Sequence, residues 1–208
     1  MEGLVAEITA IFWDVGGVLL NNAWDRTERE KAIAKFELDA TEFQERHEPL
    51  VSSFEKGKLS LSEYLEQTVF YRPRPFIRDA FREYMFSLSQ PKLDVLSIAH
   101  ALASGGRYFM GTINNESLEL NLYRIEKFNL LDLFDVFVSS CFLGMRKPEP
   151  EIYNLALALT QRKPEECCFI DDRSTNLECP SRLGMHVVQM QSAEQLREEF
   201  KSMGVKIA

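Results

Sequence analysis

The sequence predicts an α/β protein in which a parallel sheet is covered by helices on both faces and interrupted early by a helical insertion. Three observations carry that reading. A short apolar run, Ile8, Ile11, Phe12 and Trp13, ends on Asp14 and then on two glycines, and strand-forming residues bounded by a turn signal read as a buried strand. Between 21 and 90 only helical spacing is found. From Pro91 onward helix and strand signals alternate, as they do in βα units around a parallel sheet.

After Asp14 the helical signals run in order through Trp24 to Leu38, Thr41 to Lys56, Ser60 to Phe70 and Phe76 to Leu88. Each repeats apolar residues at three- and four-residue steps, with breaks at Asp39-Ala40-Thr41, Gly57 and Arg72-Pro73-Arg74-Pro75. Glu28, Glu30, Glu42 and Glu45 read as solvated helix surface, and His47 as a surface or packing residue. From Lys92 a helix runs to Ser104 and closes on Gly105-Gly106. Strand Tyr108 to Thr112, helix Glu116 to Lys127, strand Val136 to Ser139 and helix Pro148 to Thr160 follow. The last helix of these opens with proline in its first turn. Strand Cys167 to Ile170, helix Thr175 to Leu183, strand His186 to Gln189 and helix Ala193 to Met203 complete the chain. Two units result: residues 1–20 with 91–208 form the α/β part, and 21–90 the helical insertion.

Composition excludes several classes. A formal net charge of -8 argues against nucleic acid or an anionic membrane as partner, since phosphate backbones demand clustered Lys and Arg. No apolar run reaches the roughly 18 residues of a membrane span, and MEGLVAEITA lacks a basic region followed by an apolar core. The expectation is a cytoplasmic protein. Cys141, Cys167, Cys168 and Cys179 match no zinc spacing and read as buried, reduced thiols. His100 and His186 are expected to serve packing.

In a parallel sheet the strand ends share one edge, and ligands bind there. Asp14 ends the first strand, Thr112 and Asn114 follow the second, Lys147 comes after the third, and Asp171-Asp172 end the fourth. Three carboxylates brought together raise one another's pKa unless a cation neutralises them. Oxygen ligands of this kind suit Mg²⁺, shared with substrate phosphate and water. The chemistry that uses such a set is phosphoryl transfer through an aspartyl phosphate. Lys147 offsets charge on the phosphoryl oxygens, and Asn114 with backbone N–H groups positions them.

Chain order separates two folds with this inventory. Receiver domains place the acidic pair after the first strand and the lysine last; here the single Asp comes first and the pair last. That order resembles the haloacid dehalogenase-like (HAD) hydrolase superfamily, as do Phe12-Trp13-Asp14-Val15-Gly16-Gly17-Val18-Leu19, Gly144-Met145-Arg146-Lys147-Pro148-Glu149-Pro150 and Phe169-Ile170-Asp171-Asp172-Arg173-Ser174-Thr175-Asn176. The last two stretches look most like the subgroup with the soluble epoxide hydrolase phosphatase domain and bacterial sugar-phosphate phosphatases. The resemblance implies a Rossmann-like core with 21–90 as a cap domain. It implies Asp14 as nucleophile and metal ligand, the Gly16 carbonyl, Asp171 and Asp172 as further metal ligands, and Mg²⁺ as the ion. Lys147 then bridges Asp14 and the phosphoryl group, with Asn114 and Thr112 as phosphate contacts.

Two departures matter. The family's phosphatases carry an acid/base Asp two residues after the nucleophile, where this chain has Gly16, and Ser or Thr directly before Asn, where it has Ile113. A Mg²⁺-dependent phosphatase of a small phosphorylated metabolite is the leading expectation, with a sugar phosphate as one candidate. Alternatives are a HAD-fold protein that has lost turnover and binds a phosphorylated ligand or protein partner, and a haloacid dehalogenase. Asn21, Asn22, Trp24 and Asp25 are expected at the hinge, Asp25 as a stand-in for the missing acid, and Arg72 and Arg74 facing an anionic substrate. Oligomeric state is left open.

Overall fold

The computed structural model describes residues 6–207 of the 208-residue chain, so the first half of the N-terminal stretch read above for a leader lies outside the described residues. Five strands build one sheet: β1 (Ala10–Trp13), β2 (Phe109–Asn114), β3 (Val136–Ser139), β4 (Cys167–Asp171) and β5 (His186–Gln189). All neighbours are parallel, in the order β3-β2-β1-β4-β5. Side chains alternate across a strand, and β1 divides its residues accordingly. Ala10 and Phe12 pack with Phe169, Ile152 and Tyr153 on one face. Ile11 and Trp13 pack with Ile98, Leu102, Leu196 and Phe200 on the other. Helices α9 (Pro150–Thr160) and α10 (Ser174–Leu183) cover the first face, and α6 (Leu93–Gly105) and α11 (Ala193–Ser202) the second.

Between β1 and α6 lie α1 (Arg26–Lys35), α2 (Ala40–His47), α3 (Val51–Glu55), α4 (Leu61–Thr68) and α5 (Arg78–Ser87). They bury an apolar cluster of their own, with Trp24, Phe43, Phe54, Tyr64, Phe81 and Met85. Leu120 joins it from α7 (Leu118–Lys127), the helix after β2. The chain leaves and re-enters the sheet layer through two adjacent segments, bridged antiparallel at Leu20 and Pro91. Asn21 stitches them: its N–H donates to Gln90 O at 2.9 Å, its amide to Leu88 O at 2.9 Å, and its side-chain oxygen accepts from Gln90 N at 2.8 Å.

Four details differ from the sequence expectation. The helix read over Thr41 to Lys56 is two helices, α2 and α3, separated at 48–50, because Pro49 lacks an N–H and its ring crowds the preceding turn. A short helix, α8 (Ser140–Leu143), follows β3 and closes on Gly144. Glu28 is buried rather than solvated, accepting from Asn21 Nδ2 at 3.2 Å, and His100 is exposed rather than packed.

Candidate active site

The strand order reverses at β1, with β2 and β3 laid to one side and β4 and β5 to the other. Such a switch point opens a crevice at the carboxyl ends of the strands, and β1 and β4 deliver Asp14 and Asp171 there. Gly17 lets the chain turn away at once. Its φ is +78°, and a Cβ at that position would lie 2.2 Å from Asp172 Oδ2, so only glycine allows the acidic pair and the β1 turn to approach so closely.

Lys147, 1% exposed, ties the two strand ends together. Its Nζ lies 2.8 Å from Asp14 Oδ1 and 2.6 Å from Asp171 Oδ2. Its backbone is held by Asn115: Lys147 N–H donates to Asn115 Oδ1 at 2.8 Å, and Asn115 Nδ2 donates to Lys147 O at 3.0 Å. Asp171 also accepts from Arg173 N at 2.9 Å and from Asn176 Nδ2 at 3.0 Å. Asp14 accepts from Val15 N at 2.8 Å.

Asp14, Asp171 and Asp172 each offer a carboxylate oxygen within 4.8 Å of the others. Burial raises the Asp14 carboxyl well above the usual carboxylate range; Lys147 opposes the shift, and Asp171 and Asp172 add to it. Asp172 Oδ1 is buried without a hydrogen-bond partner. Lys147 thus pairs with two of the three carboxylates, and a hard divalent cation with oxygen ligands fits the remaining negative charge and the orphaned oxygen.

A cavity of about 240 Å³ opens above Asp14, below the ~300–1,000 Å³ of drug-sized ligand sites. Asp14, Gly16, Asn115, Lys147 and Asn176 form its floor, and Trp24, His47, Phe54 and Glu55 reach it from the helical layer. Arg29, Arg124, Arg146 and Arg173 line it as well. Buried Arg124 pairs with Glu116 at 3.2 Å and donates to Asn21 O at 2.6 Å.

Several sequence-chosen residues stand elsewhere. Thr112 does not reach the cavity: it is fully buried in β2 with an orphaned hydroxyl, because it sits two residues before the strand end, in register with Trp13. Asn114 stays beneath the floor, its amide donating to Asn121 Oδ1 at 2.9 Å and its oxygen accepting from Ser139 Oγ at 2.7 Å. Asn115, one residue on, is the side chain that lines the cavity. Asp25 lines it too, but both its oxygens are engaged: Oδ1 accepts from Arg26 N as the α1 cap, and Oδ2 from Arg173 Nη2 at 2.7 Å. Asn22 lines the cavity and lies 3.4 Å from Asp172. Arg72 pairs with Glu42 at 3.0 Å, and Arg74 donates to Val69 O at 2.7 Å, so both brace the helical layer.

His47 and Glu55 are cavity residues that the sequence reading missed. His47 is buried, and its Nδ1 lies 2.8 Å from the Tyr64 hydroxyl. That hydroxyl accepts from Trp24 Nε1 at 2.9 Å, so its one proton goes to His47 Nδ1. Burial, with Arg29 adding, pushes the imidazole down to about 4. His47 is therefore neutral at neutral pH, with its N–H on Nε2. The four cysteines are free and buried, and burial raises Cys141 and Cys167 to about 12.

A parallel sheet whose central strand ends on a buried, lysine-bridged carboxylate beside a second acidic strand end is the arrangement of a hydrolase with a Rossmann-like α/β core. The chain belongs to the haloacid dehalogenase-like hydrolase family, whose model matches residues 8–182. It is 27% identical to a chloroplast flavin mononucleotide hydrolase of Arabidopsis thaliana over 78% of this chain and 65% of that protein. It is 26% identical to a bifunctional epoxide hydrolase 2 of Sus scrofa over 96% of this chain. The chain thus spans less than two thirds of either relative, only 40% of the second. A D-ribitol-5-phosphate phosphatase of Bacteroides thetaiotaomicron is 25% identical over 93% of this chain and 97% of its own. Among solved structures, the magnesium complex of a Bacteroides thetaiotaomicron HAD family enzyme superposes with a TM-score of 0.75 at 21% identity, covering 93% of this chain and 98% of that one. No helix among the described residues is long and apolar enough to cross a membrane.

Proposed function

We infer that this hydrolase is a Mg²⁺-dependent phosphatase of a small phosphorylated metabolite. The observation that carries the reading is the acidic trio around one buried lysine, a charge pattern that suits a metal-held phosphoryl group. Relatives named as phosphatases or nucleotide hydrolases support it, and the small cavity favours a compact substrate over a bulky one. A sugar or polyol phosphate meets that size. Helices α1–α5 then act as a cap over the site.

Asp14, Asp171, Asp172 and the Gly16 carbonyl are the residues that would hold Mg²⁺. When bound, the ion neutralises charge between the acidic groups and phosphoryl oxygens, so that an anionic carboxylate meets an anionic ester. Asp14 attacks phosphorus and forms an aspartyl phosphate as the bond from phosphorus to the ester oxygen breaks and the alcohol departs, and water then attacks the aspartyl phosphate, releasing phosphate and freeing Asp14. Lys147 holds Asp14 in line and offsets charge on the transferring oxygens. Asn115 fixes the lysine backbone and faces the same cavity. An uncompensated acidic pair beside a carboxylate nucleophile disfavours attack on a carbon–halogen bond without metal.

The test is release of inorganic phosphate from a panel of sugar, polyol and acyl phosphates with and without Mg²⁺. Turnover that needs the ion and disappears in Asp14→Asn is expected. Failure of the wild-type protein on every ester, including p-nitrophenyl phosphate, overturns the reading.

A further inference from the structure

Gly16 occupies the position where a proton-shuttling acid is expected, so the leaving group needs another donor. Three carboxylates other than Asp14 line the cavity: Asp25, Glu55 and Glu116. Asp25 is consumed as a helix cap and by Arg173. Glu116 is consumed by Ser117 N–H at 2.9 Å and by Arg124 at 3.2 Å. Glu55 differs. It forms an ion pair as Glu116 does, Oε2 lying 3.2 Å from Arg146 Nη1, but that buried oxygen accepts no hydrogen bond from Arg146 or from any backbone N–H among the described residues.

Its backbone is fixed with unusual care for a helix end. Ser140 Oγ donates to Glu55 O at 2.6 Å. Lys56 Nζ donates to Glu149 Oε1 at 2.7 Å. Gly57 has a φ of +66°, and a Cβ there would lie 2.3 Å from Cys141 O. Three consecutive residues at the end of α3 therefore lock onto α8 and the Lys147 loop, and the lock aims the Glu55 side chain into the cavity from above.

We propose that Glu55 is the catalytic acid and base that stands in for the residue missing at Gly16; this rests on the phosphatase reading. Its carboxyl proton passes to the ester oxygen as the bond from phosphorus to that oxygen breaks and the bond to Asp14 forms. The Glu55 carboxylate then takes a proton from water as that water attacks the aspartyl phosphate. Phosphate leaves, Asp14 is freed and Glu55 is protonated again. Burial holds the Glu55 carboxyl above its ordinary range, against Arg146, Arg173 and Lys147 and with Asp25 on its side, and Glu116 faces it as well.

The experiment compares Glu55→Gln with wild type on p-nitrophenyl phosphate, whose leaving group departs without a proton, and on an alkyl phosphate such as glycerol 3-phosphate. The expected loss in kcat/KM is about 10²- to 10⁴-fold on the alkyl ester and less than about threefold on the aryl ester. With water activation also impaired, the variant should release one rapid equivalent of p-nitrophenol before a slower steady state. Equal losses on both esters, no loss on either, or a selective loss in Glu116→Gln instead, overturn the role of Glu55 and leave the phosphatase reading intact. A wild-type protein inactive on both esters overturns the two together. An unchanged Mg²⁺-induced rise in melting temperature in Glu55→Gln checks that the floor of the site is preserved.

Discussion

Lys147 is the residue on which the charge balance of the site turns. A fully buried ammonium between two carboxylates is stable because each partner offsets the other's desolvation, and removing one member leaves buried charge uncompensated. Lys147→Met should therefore lower stability by about 3–5 kcal/mol and abolish phosphate release; urea unfolding and a phosphate assay read the two effects separately. His47 gives a second prediction at this scale. Its folded value of about 4 lies below its unfolded 6.5, so as pH falls through that window the unfolded chain takes a proton that the native imidazole refuses. Its contribution is intact above pH 6.5 and is lost by pH 4, for a total of about 3 kcal/mol. The raised carboxyls of Asp14, Glu55 and Glu116 act with the opposite sign. The difference in unfolding free energy between wild type and His47→Gln isolates the histidine, and it should shrink steadily from pH 7 to pH 4.

Among the elements, the end of α3 decides how the helical layer meets the sheet. Gly57→Ala forces a side chain into the left-handed region and against the Cys141 carbonyl. It should cost about 1–3 kcal/mol and weaken turnover more than it weakens Mg²⁺ binding, since the floor of the site is built without it. Thermal melts with and without Mg²⁺, beside kcat/KM, check this. The same region shows where sequence reading runs out. Periodicity found a helix over Thr41 to Lys56, but Pro49 divides it, and Phe54 and Glu55, which line the cavity, lie on the second of the two helices. Glu55 and His47 carry no local sign of their use: each looks like an ordinary helix residue until packing brings distant elements beside it. Thr112 erred the other way, since proximity to a strand end did not reveal which face it occupies.

For the molecule as a whole, the acidic edge implies that ion binding and folding are linked. A ligand that binds only the native state at a hundred times its dissociation constant adds about 2.7 kcal/mol, and for a chain of this size that is roughly 5–10 °C in melting temperature. Mg²⁺ should raise the wild-type midpoint by that amount and leave Asp171→Asn unmoved; a rise of equal size in the variant would place the ion elsewhere. The parallel sheet and the convergence of Asp14, Lys147 and Asp171 were legible in the chain. Both follow from short-range patterns, apolar runs ending in polar residues and helices between them, together with the rule that parallel strands share one edge. Which asparagine faces the cavity, which carboxylates are already spent on arginines, and which helix end covers Asp14 were decided by contacts between residues far apart in the chain. Those contacts depend on side-chain direction and packing, and no local pattern records them.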